Sequence, residues 1–350
     1  MRVAMYYNNN DIRIEEQPKP SIGPGEVLMR IEASGICGSD VMEWYRIKKA
    51  PLVLGHEVAG EIVEVGQGVT RYKVGDRIAA SHHVPCNTCH YCLSGRHTVC
   101  DTLRATNFDP GGFAEYVRLP AINVDRGVYP LPDDMPYDGA TFIEPLACVL
   151  RAQRITRLQP GQSVLVVGSG MTGLLHANLA KASGAGCVMA TDISGYRLEA
   201  ALQFGADLSI DASEDVPKMV RKFNDGKLAD IVIVCTGAVS AVSQALQSVD
   251  RGGTVLFFAP TSPELKIPVD VNELFFRNGV TLTSSYAGSP ADHMTALQII
   301  RSHSVKVREM ITHRLSLEET GLGFKLVADA KKSMKVIIEP QRIGGKRGKG

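Results

Sequence analysis

The stretch SVLVVGSGMTG, residues 163–173, constrains the fold of this chain more than any other. Val164–Val167 are apolar throughout, as a strand covered on both faces requires. Gly168, Gly170 and Gly173 then follow as G-x-G-x-x-G at the start of a helical pattern. The first glycine permits the tight turn, the second lets backbone approach a pyrophosphate, and the third allows close helix–strand packing. The helix N-terminus adds amide donors and the positive end of its dipole. A glycine trio also fits an ordinary tight turn, so the context decides. Nineteen residues after Gly173, at the end of the strand-like run CVMATD, stands Asp192. A carboxylate there accepts from both ribose hydroxyls of an adenosine and repels a 2′-phosphate, which predicts NAD rather than NADP. Arg197, five residues on, works against that preference, and a helix N-cap is the plainer role for Asp192.

The texture on either side of this run differs. The first 145 or so residues are short β-branched runs broken by glycine, such as GEVLMRIEASGICG and HEVAGEIVEVGQGV. From about Gln159 strands and helices alternate, which implies a parallel sheet with helices on both faces. The working division is 1–145, 146–285 and a solvated basic tail, 344–350. A length of 350 residues suits two domains. With 38 basic against 37 acidic side chains there is no field to draw nucleic acid or an anionic membrane, and no apolar stretch spans a bilayer. The expected partner is a small molecule. The opening MRVAMYYNNNDIRIEE has no apolar core of signal-peptide length, so a reducing cytoplasm is expected. There the eight cysteines are metal ligands or buried apolar residues before they are disulfides.

Cys86, Cys89, Cys92 and Cys100 form C-x2-C-x2-C-x7-C. Four thiolates this close can close a tetrahedral shell around one zinc ion and leave no position for substrate, so the site is structural. His90 and His97 lie inside the lobe but are surplus to a complete shell and are read as surface residues. Cys148, Cys187 and Cys235 sit in apolar stretches and are read as core. A second constellation is dispersed: Cys37 in GICGSD, His56-Glu57 in LGHEVAG and Glu144 in FIEPLAC. A thiolate, an imidazole and a carboxylate would make an open zinc shell, although the spacing alone fits chance as well.

The strings GICGSD, LGHEVAGEIVEVG, VGDRIA, the four-cysteine lobe, GGFAEYV, FIEPLAC and VVGSGMTG, in that order, closely resemble the zinc-containing medium-chain dehydrogenases, in the sorbitol and threonine dehydrogenase branch. The resemblance covers the chain to about Pro340. It implies an α/β plus β fold, in which a GroES-like β-rich catalytic domain is joined to a Rossmann doubly wound parallel-sheet cofactor domain. Residues 286–343 would return to the first domain, and the substrate would lie in the cleft between the two. It implies two zinc ions per chain, NAD and a homo-oligomer, dimer or tetramer.

Carried over by position, Cys37 and His56 match catalytic zinc ligands, Glu57 matches the carboxylate that ligates in the polyol branch, and Glu144 matches a position that ligates or holds the zinc's water. The choice between the two glutamates stays open. Ser39 matches the hydroxyl that takes the alcohol's proton; a turn-capping serine is the plainer reading. Met42 stands where many relatives carry the next histidine of that relay, so its outer half would run through water, cofactor hydroxyls or Glu43. Asp40 either orients the zinc loop or caps the following helix. Thr236 and Phe258, after later strands, match the cofactor crevice.

The expected activity is reversible hydride transfer from a secondary alcohol of a polyol, sugar or cyclitol to NAD, with zinc as the Lewis acid. Oxidation of a 3-hydroxy amino acid such as threonine is the alternative, and needs a fixed cation for the substrate carboxylate. Arg46, Lys48 and Lys49 are near enough, but such a run reads first as a solvated face. A non-catalytic zinc-binding structural relative is the alternative from another class.

Overall fold

The structure, a computed structural model, describes residues 1–261, 263–264 and 266–342. The basic tail expected at 344–350 lies outside the described residues. The chain divides into two compact units. One comprises Met1–Ala147, Ser289–Arg301 and the chain from Val307 onward, the other Cys148–Gly288 with Ser302–Lys306.

The first unit is built on a seven-stranded sheet. Along its main path the order is Ile311–Ser316, Lys335–Glu339, Val27–Gly35, Glu57–Val65, Arg77–Ala80 and Val128–Pro130, with Tyr116–Leu119 also pairing Val27–Gly35. Alternating apolar residues of the middle strands, among them Val27, Met29, Ile31, Ile62 and Ile78, are fully buried in one core. Two register positions matter for chemistry. Gly35 pairs with Glu57 on one side and Ile337 on the other, which carries Lys335, one pleat away, to the same face. A Cβ on Gly35 would fall 2.2 Å from Glu57 Oε2 and 2.6 Å from Lys335 Cε, so only glycine leaves room for those two side chains.

The second unit is a six-stranded sheet in the order Leu208–Asp211, Cys187–Asp192, Ser163–Val167, Ala229–Val234, Val249–Phe257, Thr281–Ser284. Every pairing is parallel. The helices Met171–Ala182, Gly195–Gln203, Val216–Phe223 and Val239–Ser248 make crossovers. All five residues of Ser163–Val167 are buried, because this strand is central and covered on both faces. From it the chain builds outward first to one side and then to the other. The reversal opens a crevice at the carboxyl ends of Ser163–Val167 and Ala229–Val234, where doubly wound sheets bind their ligands. Among the described residues no helix is long and apolar enough to cross a membrane.

Candidate zinc and dinucleotide sites

In the first unit Cys37 follows the strand ending at Gly35, and His56 precedes the strand beginning at Glu57. Because Gly35 and Glu57 are paired, both loops emerge at the same end of the sheet. Ligand atoms of Cys37, His56 and Glu57 all lie within 4.8 Å of one another. Glu144 stands outside that set. It occupies the first turn of Ile143–Thr156 and faces a tight space shared with Val58, Ala79, Tyr129, Thr141 and His293.

Asp40 orders the loop rather than a helix. Its carboxylate is buried, Oδ2 accepts from the Cys37 amide at 3.0 Å, and Oδ1 lies 3.4 Å from His56 Nδ1. The residue at the cap of the next helix, Glu43–Arg46, is Met42. With Nδ1 turned to Asp40, Nε2 is the nitrogen left to ligate, the arrangement that carboxylate–histidine pairs give metal sites. Burial lowers the His56 pKa, but the adjacent charge of Asp40, with Cys37, carries it well above the ordinary value. Burial likewise raises Asp40, and His56, Arg46 and the Cys37 amide bring it below the usual carboxylate range.

Glu57 is fully buried; Oε2 accepts from Lys335 Nζ, while Oε1 has no hydrogen-bond partner. An orphaned carboxylate oxygen beside a thiol and an imidazole is what an open metal shell would satisfy, so the donor set fits zinc. Lys335 escaped the sequence reading. Its signal was a lysine inside the run KVIIE, whose first four residues are buried. Arg46, named from the sequence only as a candidate carboxylate partner, and His82 and His83, not singled out there, also shape this site. Arg46 bonds to Ser39, as set out below. The His82 ring lies 4.8 Å from the His56 ring and 3.8 Å from that of His83. Burial, then its histidine neighbours, hold His82 well below the usual pKa, and burial brings His83 to about 4. Both are therefore neutral at pH 7.

The four lobe cysteines lie within 4.8 Å of one another. The separations are 3.6 Å for Cys89–Cys92, 3.6 Å for Cys100–Cys86 and 3.9 Å for Cys86–Cys92. Four sulfurs at ligation distance from zinc are about 3.8 Å apart, so these distances fit a closed shell. None of the eight cysteines is in a disulfide. His90 is exposed and His97 half-buried. Cys148, Cys187 and Cys235 are half-buried, and Cys187 packs against the core of the second unit.

In the second unit each of the three glycines meets a different constraint. Gly168 has φ +95°, Gly170 has no atom nearer than 4.0 Å to the place of a Cβ, and a Cβ on Gly173 would lie 2.0 Å from the Gly168 carbonyl oxygen. Asp192 ends its strand. Oδ2 accepts from the Ser169 amide at 2.9 Å and Oδ1 from the Ser194 amide at 3.0 Å, so it ties the glycine turn to the following helix. Arg197 Nη1 is 3.7 Å from Asp192 Oδ2, and the guanidinium lies beside Gly170. Thr236 faces Gly168 at the crevice. The Phe258 ring meets the buried His176 edge-on at 4.7 Å, a packing contact.

Comparison with known proteins agrees with both units. Residues 23–133 match the alcohol dehydrogenase GroES-like domain and residues 172–302 the zinc-binding dehydrogenase domain. The chain belongs to the zinc-containing medium-chain dehydrogenases, in their polyol and threonine branch, as a zinc alcohol dehydrogenase-type oxidoreductase using a nicotinamide cofactor. It is 32% identical to sorbitol dehydrogenase of Bacillus subtilis, over 98% of each chain. It is 35% identical to L-threonine 3-dehydrogenase of Bacillus licheniformis, over 92% of this chain and 93% of that one. A protein named as a zinc-binding dehydrogenase of Sinorhizobium meliloti 1021, solved with NADP, superposes with a TM-score of 0.86 at 26% identity, covering 97% of this chain and 99% of that one.

Proposed function

We propose that this chain oxidises a secondary alcohol of a polyol, sugar or cyclitol to the ketone, reversibly, with NAD. The observation that carries the reading is the open donor set of Cys37, His56 and Glu57, with the Ser39 hydroxyl 3.4 Å from Cys37 Sγ. Cys37, His56 and Glu57 would hold the catalytic zinc, with Glu144 outside the set, and the four lobe cysteines a second, structural ion. Zinc supplies a Lewis acid to the alcohol oxygen, and the nicotinamide supplies the hydride acceptor. The chain's own residues do the rest. Asp40 fixes the His56 ring, Lys335 balances Glu57, and Ser39 takes up the proton that the alcohol gives up. Gly168, Gly170 and Gly173 admit the pyrophosphate to the helix N-terminus. Asp192 favours NAD because a 2′-phosphate would meet its charge, with Arg197 beside it as the opposing influence.

A neutral substrate is favoured over a 3-hydroxy amino acid by the placement of three cations. Lys48 and Lys49 are exposed, and Arg46 directs Nε and Nη2 to Ser39, so none of the three is set as a fixed, buried partner for a substrate carboxylate. The 35% identity to an L-threonine 3-dehydrogenase keeps the amino acid as the second reading. The test is NADH formation across polyols, cyclitols, aldoses and hydroxy amino acids, together with zinc analysis. Turnover of polyols or cyclitols with two zinc equivalents supports the proposal. Turnover of threonine alone moves the substrate to the second reading, and a single zinc equivalent, held at the lobe, removes catalysis altogether.

A further inference from the structure

The Ser39 hydroxyl is held from behind by Arg46. Arg46 Nη2 donates to Ser39 Oγ at 3.0 Å, and Arg46 Nε donates to the Ser39 carbonyl oxygen at 2.9 Å. Two donors of one rigid fork on one residue fix that hydroxyl against its own backbone. The fork is itself fixed. Its Nη2 lies 3.6 Å from Asp40 Oδ1, its central carbon 4.6 Å from the centre of the Tyr45 ring, and the side chain is only 16% exposed. A hydroxyl has one O–H and two lone pairs, and a guanidinium only donates and does not deprotonate in proteins. Arg46 therefore occupies one lone pair permanently. The nearby Met42 can neither take nor pass a proton.

We propose that Arg46 is the positioning residue of the proton path: it leaves Ser39 Oγ one lone pair to accept the substrate's hydroxyl proton and one O–H to release. The inference rests on the dehydrogenase reading above. In the step, the substrate O–H bond breaks and a new O–H bond forms on Ser39 Oγ. The serine's original O–H, which donates to Cys37 Sγ at 3.4 Å before the step, breaks and its proton passes to solvent water. A bound nicotinamide would supply the acceptor for the hydride, which the carbinol carbon gives up with its electron pair. Arg46 keeps all its protons throughout.

The test is a double-mutant cycle of Arg46→Met and Ser39→Ala, with Arg46→Lys beside it. Arg46→Met lowers kcat about 10- to 100-fold, within the range of a proton-transfer group, and leaves KM within about 3-fold. In the Ser39→Ala background the same substitution changes kcat by less than about 2-fold, because the two residues act as one unit. Added guanidinium ion raises kcat of Arg46→Met and not of the double variant. Arg46→Lys, a point charge without the fork, stays well below wild type. A binding readout runs in parallel: in the presence of NAD, 2,2,2-trifluoroethanol, an alcohol that does not give up hydride, binds about 10-fold more weakly to Arg46→Met than to wild type, and equally to Ser39→Ala and the double variant. Additive losses, or loss of zinc from Arg46→Met that accounts for its activity, overturn the proposal. If wild type oxidises nothing in the panel, the substrate reading fails, and the trifluoroethanol cycle still decides the role of Arg46.

Discussion

Replacing Lys335 with methionine keeps an unbranched side chain one heavy atom shorter and removes its charge from a place no water reaches. Both Lys335 and Glu57 are 0% exposed, and besides Glu57 the Lys335 ammonium has a long contact to the Ile36 carbonyl oxygen, 3.4 Å, and lies 5.5 Å from the Phe142 ring. At contact distance and an effective dielectric of about 20 the pair attracts by about 5 kcal/mol. Part of this is offset by the cost of burying the ammonium, and removing one partner of such a pair typically costs about 3–5 kcal/mol, because the other charge is stranded. In this chain Glu57 would be left with neither oxygen bonded. A cation at the Cys37–His56–Glu57 site would relieve that charge. The loss should therefore be about 3–5 kcal/mol in chelator-treated protein and smaller by at least about 1 kcal/mol in the zinc-saturated form, as linkage to a ligand of the folded state requires. Trp44, the only tryptophan, lies in the first unit and is 43% exposed, so its fluorescence during urea unfolding follows that unit. The companion Lys335→Met with Glu57→Gln should recover most of the loss, since no buried charge remains. Equal losses with and without zinc, or a loss below about 1 kcal/mol in both, would refute the account of Glu57 as a metal ligand balanced by lysine.

Three other outcomes can be measured independently. Asp192→Asn should weaken NAD about 10-fold or more, a charge-assisted hydrogen bond being worth about 1.5–3 kcal/mol, and tighten NADP; calorimetry that shows both cofactors weakened alike would count against the ribose role. Gly173→Ala should abolish tight NAD binding, because its Cβ would press to 2.0 Å from the Gly168 carbonyl oxygen, and unchanged affinity would mean the helix can shift freely. Acid should destabilise the chain. Burial holds His83 at about 4 and His176 at about 3, so below the ordinary histidine value the unfolded chain binds more protons than the folded one. Stability then rises with pH by up to about 1.4 kcal/mol per unit for each histidine, from about 3 to 6.5 for His176 and from about 4 to 6.5 for His83, and falls as pH is lowered through those windows. His176→Gln should flatten the slope of urea midpoints between pH 4 and 6, and an unchanged slope would exclude His176 from it.

What could be read from the sequence follows from the distance over which each feature is built. The cysteine lobe and the glycine turn are local: their members lie within fifteen residues or fewer, and short loops leave them few other arrangements. Asp192 was legible because one crossover helix of ordinary length returns the chain to a neighbouring parallel strand. Cys37 and His56, by contrast, meet only through the register that pairs Gly35 with Glu57, which no spacing encodes, so their reading leaned on resemblance. Lys335 is 278 residues from Glu57 and arrives through a third strand. Arg46 stood in RIKK, where the charge run suggested a solvated face; Lys48 and Lys49 obey that rule and Arg46 folds back on Ser39.

The two cations that the sequence concealed also complete the electrostatics of the site. Cys37 as a thiolate, Asp40 and Glu57 bring three negative charges into a small buried volume, and Arg46 and Lys335 answer two of them. A divalent ion held by Cys37, Glu57 and a neutral His56 would then leave the site with one net positive charge, the sign that a developing negative oxygen requires. Without Arg46 and Lys335 the same ligands and the same metal would leave one net negative charge, and the site would oppose ionisation of the alcohol it is proposed to oxidise. The proposed ligands alone would account for binding zinc, and it is the two cations, one near in sequence and one 278 residues from Glu57, that would make the set suitable for alcohol chemistry.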